Sequence, residues 1–207
     1  MTYSPCSQRD LVHLMNNRER LSLADFRSLL DEIVDLQDSG WEMGPDPNDP
    51  STTVLAFSIF AHETVLARIT NQFALPISGN GWRVRAGIPP RDWERYFEYT
   101  THSGTRYRVE GADWRYRILA EGGMAKIILY PPRDYSDSFD ELAHVLCVGE
   151  LGEDNLADFV SGIECDPLDP SAGRPFCGLR GEFASLFKGC HYREFFAREQ
   201  GRHVRPS

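Results

Sequence analysis

The sequence predicts an α+β fold: a single domain over residues 1–207, in which several helices pack against a small antiparallel meander at about residues 105–130. Two observations predict it. Apolar residues recur at helical spacing in several segments, and residues 105–130 alternate polar and apolar side chains between glycine-containing turns. The 207 residues are 41% hydrophobic, which is enough to bury a sizeable core and excludes wholesale disorder.

The chain is predicted to begin with two helices. Residues 7–17 are weakly amphipathic. Ser22 followed by Asp25 is an N-cap signal for the second helix, and Gly40 is a natural end for it. The apolar residues of the second helix recur at helical spacing, at Phe26, Leu29, Leu30, Ile33, Val34 and Leu36.

The next segment is less uniform. Residues 41–50 contain three prolines in six positions, which predicts an irregular loop. Residues 51–69 allow two interpretations. Apolar residues at helical spacing favour a helix, whereas the β-forming residues TTVLAFSIF in the front half are typical of a buried strand.

The middle of the chain is predicted to be mostly β. A turn at residues 79–81 precedes a short strand at 82–85, and Pro89 and Pro90 are predicted to start a short helix that carries Trp93, Tyr96 and Phe97. The meander then follows, with strands at 106–109, 114–118 and 125–130.

The second half is predicted to be helical. Ser138 and Glu141 form a capping box, and residues 154–163 have helical periodicity. Three prolines then interrupt the chain before a helical C-terminal part at 179–187 and 191–199.

Acidic residues are concentrated in one stretch, residues 134–173, which we call the acidic segment. It holds 11 Asp and Glu residues and no Lys or Arg, whereas the other 167 residues hold 20 acidic and 22 basic side chains. The whole formal net charge of -9 therefore arises in this segment. Like charges that are concentrated in one segment repel each other, which is unfavourable unless they serve a function. A surface that attracts a basic partner is one such function. The alternative is a solvated face that only aids solubility.

Composition also excludes some classes of protein. The negative net charge argues against a general nucleic-acid binder, and no apolar run is long enough to span a membrane. No secretory signal is visible at the start, so we expect a cytoplasmic protein whose cysteines are free buried thiols. Cys165, Cys177, Cys190 and His191 are poor candidates for a zinc site, because their gaps are too long for the usual ligand pairs.

Candidates for catalysis are weak. His62 and Glu63 match half of a zinc-protease signature, but Leu66 stands where the second histidine would be. His144 lies among acidic residues and is a possible base oriented by a carboxylate. A small enzyme that uses either site is the alternative function. Asp46, Asn48 and Asp49 resemble a calcium loop but lack its glycine and its final glutamate, so hydrogen-bonded Asx turns are the better interpretation.

Four arginines are predicted on one face of the meander: Arg106, Arg108, Arg115 and Arg117. Clustered arginines bind phosphates or carboxylates, so a nucleic-acid-binding module is a further hypothesis for the function. The favoured alternative is that Glu98, Glu110, Asp113 and the acidic segment neutralise the arginines within the fold.

Taken with the acidic second half, several motifs give the chain a family resemblance. They are Trp41-Glu42-Met43-Gly44, Gly81-Trp82, Trp93-Glu94-Arg95-Tyr96-Phe97 and the strands around Trp114. The chain resembles the immunity proteins of bacterial polymorphic toxin systems. It is most similar to the group encoded beside nuclease toxins of the restriction-endonuclease type, including type VI secretion effectors.

The resemblance implies a protein that is not an enzyme. Such a protein binds a cognate toxin with a basic surface in the cytoplasm, and needs neither a cofactor nor a metal. No site residue transfers from the family, so the acidic segment supplies the predicted partner-binding residues. They are Asp137, Asp140, Glu141, Glu150, Asp154 and Asp158.

Overall fold

A computed structural model of the protein describes residues 8–34, 41–46, 49–58, 73, 75–91, 93–100, 106–132, 139–167 and 172–187. Helices occur together with antiparallel and parallel strand pairs, so the predicted α+β class is confirmed. The chain divides into two compact units, Met1–Ile88 and Pro89–Ser207. That a single domain spans the whole chain stays a prediction.

The first unit begins with two helices, as the sequence predicts. α1 spans Gln8–Asn17 and α2 spans Leu23–Val34. Ser22 caps α2, because its Oγ accepts a hydrogen bond from the Asp25 N–H at 3.1 Å and donates one to the Asp25 carboxylate at 2.6 Å. The two helices contribute apolar side chains to the core of this unit: Leu11, Leu14, Met15, Phe26, Leu30 and Val34.

The core of the first unit is completed by a four-stranded sheet. Its strands are β1 (Trp41–Asp46), β2 (Asp49–Phe57), β3 (Ile77–Gly79) and β4 (Trp82–Ala86), in the order β1-β2-β4-β3. β2 pairs antiparallel with β1 and parallel with β4. Alternate side chains of the two central strands enter the core, which explains the burial of Leu55, Phe57, Trp82 and Val84.

Two sequence predictions are wrong in this region. Residues 41–46 are a strand and not a loop, because β1 lies at the edge of the sheet, where proline is tolerated. Residues 51–57, for which the sequence favours a helix, belong to β2, so the alternative of a buried strand is correct there. The strand has β1 on one side and, from Thr53 to Phe57, β4 on the other. Residues 59–69 of that predicted helix lie outside the described residues.

The second unit contains a two-stranded ribbon and a four-stranded sheet. The ribbon pairs β5 (Tyr96–Thr100) with β6 (Arg106–Glu110). The sheet has the order β10-β7-β8-β9 and contains the hairpin of β7 (Arg115–Glu121) and β8 (Met124–Tyr130). Its other strands are β9 (Val160–Cys165) and β10 (Arg174–Pro175).

The structure corrects the predicted meander. The hairpin of its second and third strands is confirmed, but β6 pairs with β5 and not with β7. The turn expected between β6 and β7 is the 3-10 helix Gly111–Asp113, which leads the chain from one sheet to the other. The short helix predicted after Pro89 is also wrong, because Tyr96 and Phe97 belong to β5.

The acidic segment supplies the crossover between β8 and β9. α3 (Phe139–Leu151) and α4 (Glu153–Phe159) connect these two strands, which run parallel, as a helical crossover requires. The helix predicted over 154–163 ends at Phe159, since Val160 and Ile163 pair with β8. The predicted helix at 179–187 is confirmed as α5 (Leu179–Leu186), and 191–199 lies outside the described residues.

The core of the second unit lies between its four-stranded sheet and its helices. Its fully buried side chains come from both layers and include Trp114, Tyr116, Ile127, Leu129, Leu142, Leu146, Phe176, Leu179 and Phe183. In the part of the chain that the structure describes, no helix has the length and apolar character that crossing a membrane requires.

Candidate functional site

The first candidate residues lie at the start of α3. Asp140 and Glu141 occupy its first turn and are exposed to solvent. Carboxylates are favoured there, because the N-terminal end of a helix carries a partial positive charge. Asp137, which precedes them in the sequence, lies outside the described residues. This end of α3 therefore presents two predicted partner-binding carboxylates to solvent.

A second pair of candidate residues lies on α4. Asp154 is in the first turn of this helix and is half-buried, and Asp158 lies one turn later and is exposed. Residues four positions apart share a helix face, so these two carboxylates point the same way. Glu153, beside them in the sequence, is 2% exposed and faces the interior.

The two pairs lie at opposite ends of the crossover. α3 has 13 residues and so is about 20 Å long, which separates Asp140 from the start of α4. The end of β9 lies near the first pair. Burial raises the pKa of Cys165, the last residue of β9, to about 12, and the nearby charge of Asp140 contributes to this increase. We call the carboxylates where α3 begins and β9 ends the acidic end; they are Asp140, Glu141, Glu164 and Asp166.

One lysine outside the acidic segment contacts the acidic end. Lys126 Nζ of β8 lies 2.6 Å from Glu164 Oε1, and both side chains are about half exposed. An exposed ion pair of this kind contributes little to stability. It does reduce the local negative charge at Glu164, so Asp140 and Glu141 supply most of the exposed negative charge of the acidic end.

The structure corrects the prediction for Glu150. Its side chain is fully buried, so it is not part of a surface that meets a partner. Arg95 Nε lies 2.7 Å from Glu150 Oε1, and Arg180 Nε lies 3.5 Å from Glu150 Oε2. The Trp93 indole N–H also donates a hydrogen bond to Glu150 Oε1 at 3.1 Å. A buried carboxylate needs such partners, and here they are internal.

Arg180 extends this buried cluster to the backbone. Its guanidinium donates hydrogen bonds to the carbonyl oxygens of Glu150 at 2.8 Å, Arg91 at 2.7 Å and Gly149 at 3.2 Å. The Arg91 N–H in turn donates to the Gly149 carbonyl at 2.8 Å. α5 and the irregular segment before β5 are thereby fixed to the C-terminal half of α3.

The segment before β5 fits closely against α3. Trp93 packs where a Cβ on Gly149 would overlap its ring, so only glycine leaves room for the indole. Arg95 has a φ of 61°, a left-handed conformation that costs a residue with a side chain on the order of 1 kcal/mol. Its carbonyl accepts a hydrogen bond from the Gly111 N–H at 2.7 Å, and its guanidinium binds Glu150. These contacts hold the strained backbone in place.

Of the residues in the alternative enzyme hypothesis, the structure describes His144. It is half-buried on α3, and burial lowers its pKa although the nearby Glu153 carboxylate acts in the opposite direction. Burial also lowers the pKa of Arg91, again opposed by Glu153. The Glu153 carboxylate therefore acts electrostatically on both His144 and Arg91. His62 and Glu63 lie outside the described residues.

The structure does not bring the four arginines together on one sheet. Arg106 and Arg108 are on β6, whereas Arg115 and Arg117 are on β7 of the other sheet. Arg108 Nε donates a hydrogen bond to Glu110 at 2.6 Å, and its guanidinium lies 5.2 Å from the centre of the Tyr96 ring. Arg115 is bound to the carbonyls of Ala172 and Gly173. The predicted arginine face is therefore wrong.

A groove that the sequence did not predict lies beside β10. Its volume is about 480 Å³, and Tyr116, Arg174, Cys177 and Glu182 contribute to its walls. The Tyr116 hydroxyl donates a hydrogen bond to Glu182 Oε2 at 2.6 Å, and Arg174 Nη1 lies 2.8 Å from the same oxygen. Burial and the Glu182 hydrogen bond raise the pKa of Tyr116 well above its usual value, so the phenol stays protonated.

The cysteines of the described residues are free thiols. Cys147 is buried, as the sequence predicts for an unpaired thiol, and burial raises its pKa far above its usual value. Cys165 is half-buried and Cys177 is exposed, so the predicted burial of the free thiols is wrong for Cys177, which lies at the surface beside β10. Among the described residues no cluster of three or more His, Cys, Asp or Glu side chains is suited to a metal ion, and Cys190 and His191 lie outside them.

The residues that resemble a calcium-binding loop lie in the first unit, and Asp46 and Asp49 have structural roles there. Asp49 accepts hydrogen bonds from the Ser51 N–H at 3.2 Å and the Ser51 hydroxyl at 2.6 Å, which confirms the predicted Asx turn. These bonds and one from Thr52 lower the pKa of Asp49. Asp46 is 3% exposed and binds Arg83 at 2.7 Å. Asn48 lies outside the described residues.

Comparisons with known proteins give no relative for this chain. No family model, no curated protein and no solved structure matches it.

Proposed function

We propose that this chain is an immunity-type inhibitor, which binds a cognate bacterial toxin in the cytoplasm and blocks it without catalysis. The observation that carries the proposal is the exposure of Asp140 and Glu141 on the first turn of α3, in a segment without Lys or Arg. The family resemblance of the sequence motifs supports the same assignment.

A nuclease is the kind of toxin that suits such a surface. A nuclease presents basic side chains to the phosphates of its substrate, and exposed carboxylates attract those same side chains. Opposite charges on two proteins raise the association rate, and salt screens this effect. An inhibitor that must reach a toxin before the toxin damages the cell gains most from a fast association.

We assign the first contact with the toxin to the acidic end rather than to α4. At the acidic end Asp140, Glu141 and Glu164 are exposed and Asp166 is half-buried, although Glu164 is paired with Lys126. On α4 only Asp158 is exposed, and Asp154 is half-buried. The separation of about 20 Å between the groups exceeds the Debye length of about 8 Å at physiological salt. A compact basic patch therefore attracts one group at a time.

The test begins with the product of the open reading frame next to this gene, co-expressed with the tagged chain. We expect a complex and protection of the host from a toxic product. Association rates are then measured over a salt series for two double charge reversals, D140K with E141K and D154K with D158K. The control is E94K with D113K, which changes the net charge equally at exposed positions outside the acidic segment.

We expect the acidic-end variant to associate about tenfold more slowly at low salt, with a difference that shrinks as salt rises. The control is expected to change the rate least. Equal slowing in all three variants would show that only net charge matters and would contradict the assigned surface. Absence of both complex and protection would contradict the inhibitor function itself.

A further inference from the structure

β7 has one edge that is only partly paired. On the side away from β8, β10 pairs with Arg115 and Tyr116 and then ends. At its other end β7 enters the turn of Gly122 and Gly123. Within the described residues no strand pairs with the outer side of Arg117–Glu121. These five residues, which we call the open edge, are bounded by β10 at one end and by the turn at the other.

The hairpin fixes which backbone groups the open edge offers. Gly122 and Gly123 both have positive φ angles, 59° and 82°, as a two-residue type I′ turn requires. The residues that flank this turn, Glu121 and Met124, are register partners and direct their backbone groups at each other. Because the direction alternates along a strand, the N–H and C=O groups of Ile118 and Ala120 point outward.

The exposed side chains of the open edge carry opposite charges on the two sides of a leucine. Arg117, Leu119 and Glu121 share one face of β7, and all three are exposed, Leu119 to 39%. A cation thus lies two residues before the exposed leucine and an anion lies two residues after it. A strand with this order of side chains is complementary to an antiparallel copy of itself.

We propose that a second copy of this chain pairs with the open edge, antiparallel and centred on Leu119. In this register Ile118 lies opposite Ala120 of the second copy, and the outward N–H and C=O groups of both residues form four hydrogen bonds. The two Leu119 side chains are direct neighbours, and Arg117 of each copy faces Glu121 of the other. The two-stranded contact joins the two sheets into one.

Charge also disfavours the other ways to pair this edge. A parallel, in-register pair places like charges side by side, and a shift of two residues places Arg117 opposite leucine. Charged residues on sheet edges usually prevent edge-to-edge association. Here the same two charges select one register. Five residues form a small interface, so we expect a weak dimer that exists at high protein concentration.

Sedimentation velocity over a concentration series tests this pairing with R117E, E121R and an equimolar mixture of the two. In each single variant like charges face each other at both ends of the edge, so we expect self-association at least about tenfold weaker than in the wild type. In the mixture every pair of facing charges is opposite. The mixture is therefore expected to form a heterodimer about as strong as the wild-type dimer.

Matched variants separate this edge from general effects. R106E and E94R change the net charge in the same way at exposed positions away from β7, and are expected to associate like the wild type. A120P removes an outward N–H that β8 does not use, and is expected to weaken the dimer. Circular dichroism checks that each variant is folded.

Three outcomes would overturn the proposal. One is a wild-type chain that stays monomeric up to about 1 mM. Another is a dimer that R117E and E121R leave unchanged. The last is a folded mixture of R117E and E121R that associates no more strongly than either variant alone. In that case a strand of another protein would be the alternative occupant of the open edge.

Discussion

Glu150 Oε1 lies 2.7 Å from Arg95 Nε, an ion pair that joins residues 55 positions apart in the sequence. Glu150 belongs to the acidic segment, yet its partners are internal, and the same carboxylate also binds Trp93 and Arg180. Trp93 and Arg95 belong to Trp93-Glu94-Arg95-Tyr96-Phe97, one of several motifs on which the proposed family resemblance is based. In this chain these two residues bind the C-terminal half of α3.

We expect E150Q to destabilise the second unit strongly. The substitution removes the charge that neutralises Arg95 and Arg180 in a buried site, and breaking such a pair costs about 3–5 kcal/mol. Urea unfolding followed by tryptophan fluorescence measures the loss. E141Q, a neutralised exposed carboxylate on the same helix, is the control and is expected to stay within about 0.5 kcal/mol of the wild type. Equal stabilities of E150Q and E141Q would contradict a structural role for Glu150.

Two glycines in helices predict opposite effects of the same substitution. A Cβ at Gly149 would overlap the Trp93 ring, so we expect G149A to destabilise the protein by about 1–3 kcal/mol, with displacement of the indole. At Gly181 of α5 no atom lies within 4 Å of an added Cβ, and alanine is the better helix former. G181A is therefore expected to stabilise by about 0.5–1 kcal/mol.

Thermal and urea unfolding of the two glycine variants provide the comparison. Near-ultraviolet circular dichroism reports in addition on the environment of Trp93. A G149A variant as stable as the wild type, with an unchanged spectrum, would show that Trp93 does not pack against α3 as described.

Local signals made part of this fold predictable. The Ser22–Asp25 cap and the β7–β8 hairpin each depend on residues a few positions apart, and both were predicted correctly. Pairing across long distances was not predictable. Residues 49–57 become a strand because they pair with β1 along their length and, from Thr53 to Phe57, with β4, which follows about 25 residues later in the chain. β6 pairs backward with β5, because Gly111–Asp113 form a 3-10 helix and not a hairpin turn.

The candidate site was predictable to a similar extent. The capping-box pattern of Ser138 and Glu141 predicts that a helix begins here, and in the structure Asp140 and Glu141 lie in its exposed first turn. Periodicity does not reveal that Glu150 faces two arginines, because Arg95 and Arg180 come from segments far away in the sequence. The division of the acidic segment into two groups likewise depends on the crossover between parallel strands.

Stability is expected to depend on pH through His144. Burial lowers the pKa of His144 below its usual value of 6.5, so the folded state binds a proton less readily than the unfolded state. The contribution of the neutral imidazole is therefore present above pH 6.5 and is lost as the pH falls through the folded-state pKa. We expect the stability difference between the wild type and H144Q to shrink between pH 7.5 and pH 5.5.

Urea unfolding at the two pH values measures the difference for His144. H13Q, which removes an exposed histidine of α1, supplies the background for loss of a surface imidazole. A difference for H144Q that grows as the pH falls would show that the folded state favours the protonated form, contrary to the burial of this side chain.

Thiol reactivity tests the geometry at the acidic end. The thiolate is the form that reacts with iodoacetamide, and a pKa of about 12 leaves roughly one Cys165 in 10⁴ ionised at pH 8. Peptide mapping by mass spectrometry is expected to show alkylation of Cys165 about a thousandfold slower in the folded than in the unfolded chain. The charge of Asp140 is the second cause of the raised Cys165 pKa, after burial, so D140N is expected to raise the alkylation rate of Cys165 severalfold. D158N, at the other end of the crossover, is expected to leave this rate unchanged. If D140N and D158N had equal effects, the beginning of α3 would not lie beside the end of β9, and the acidic end would not exist as one surface.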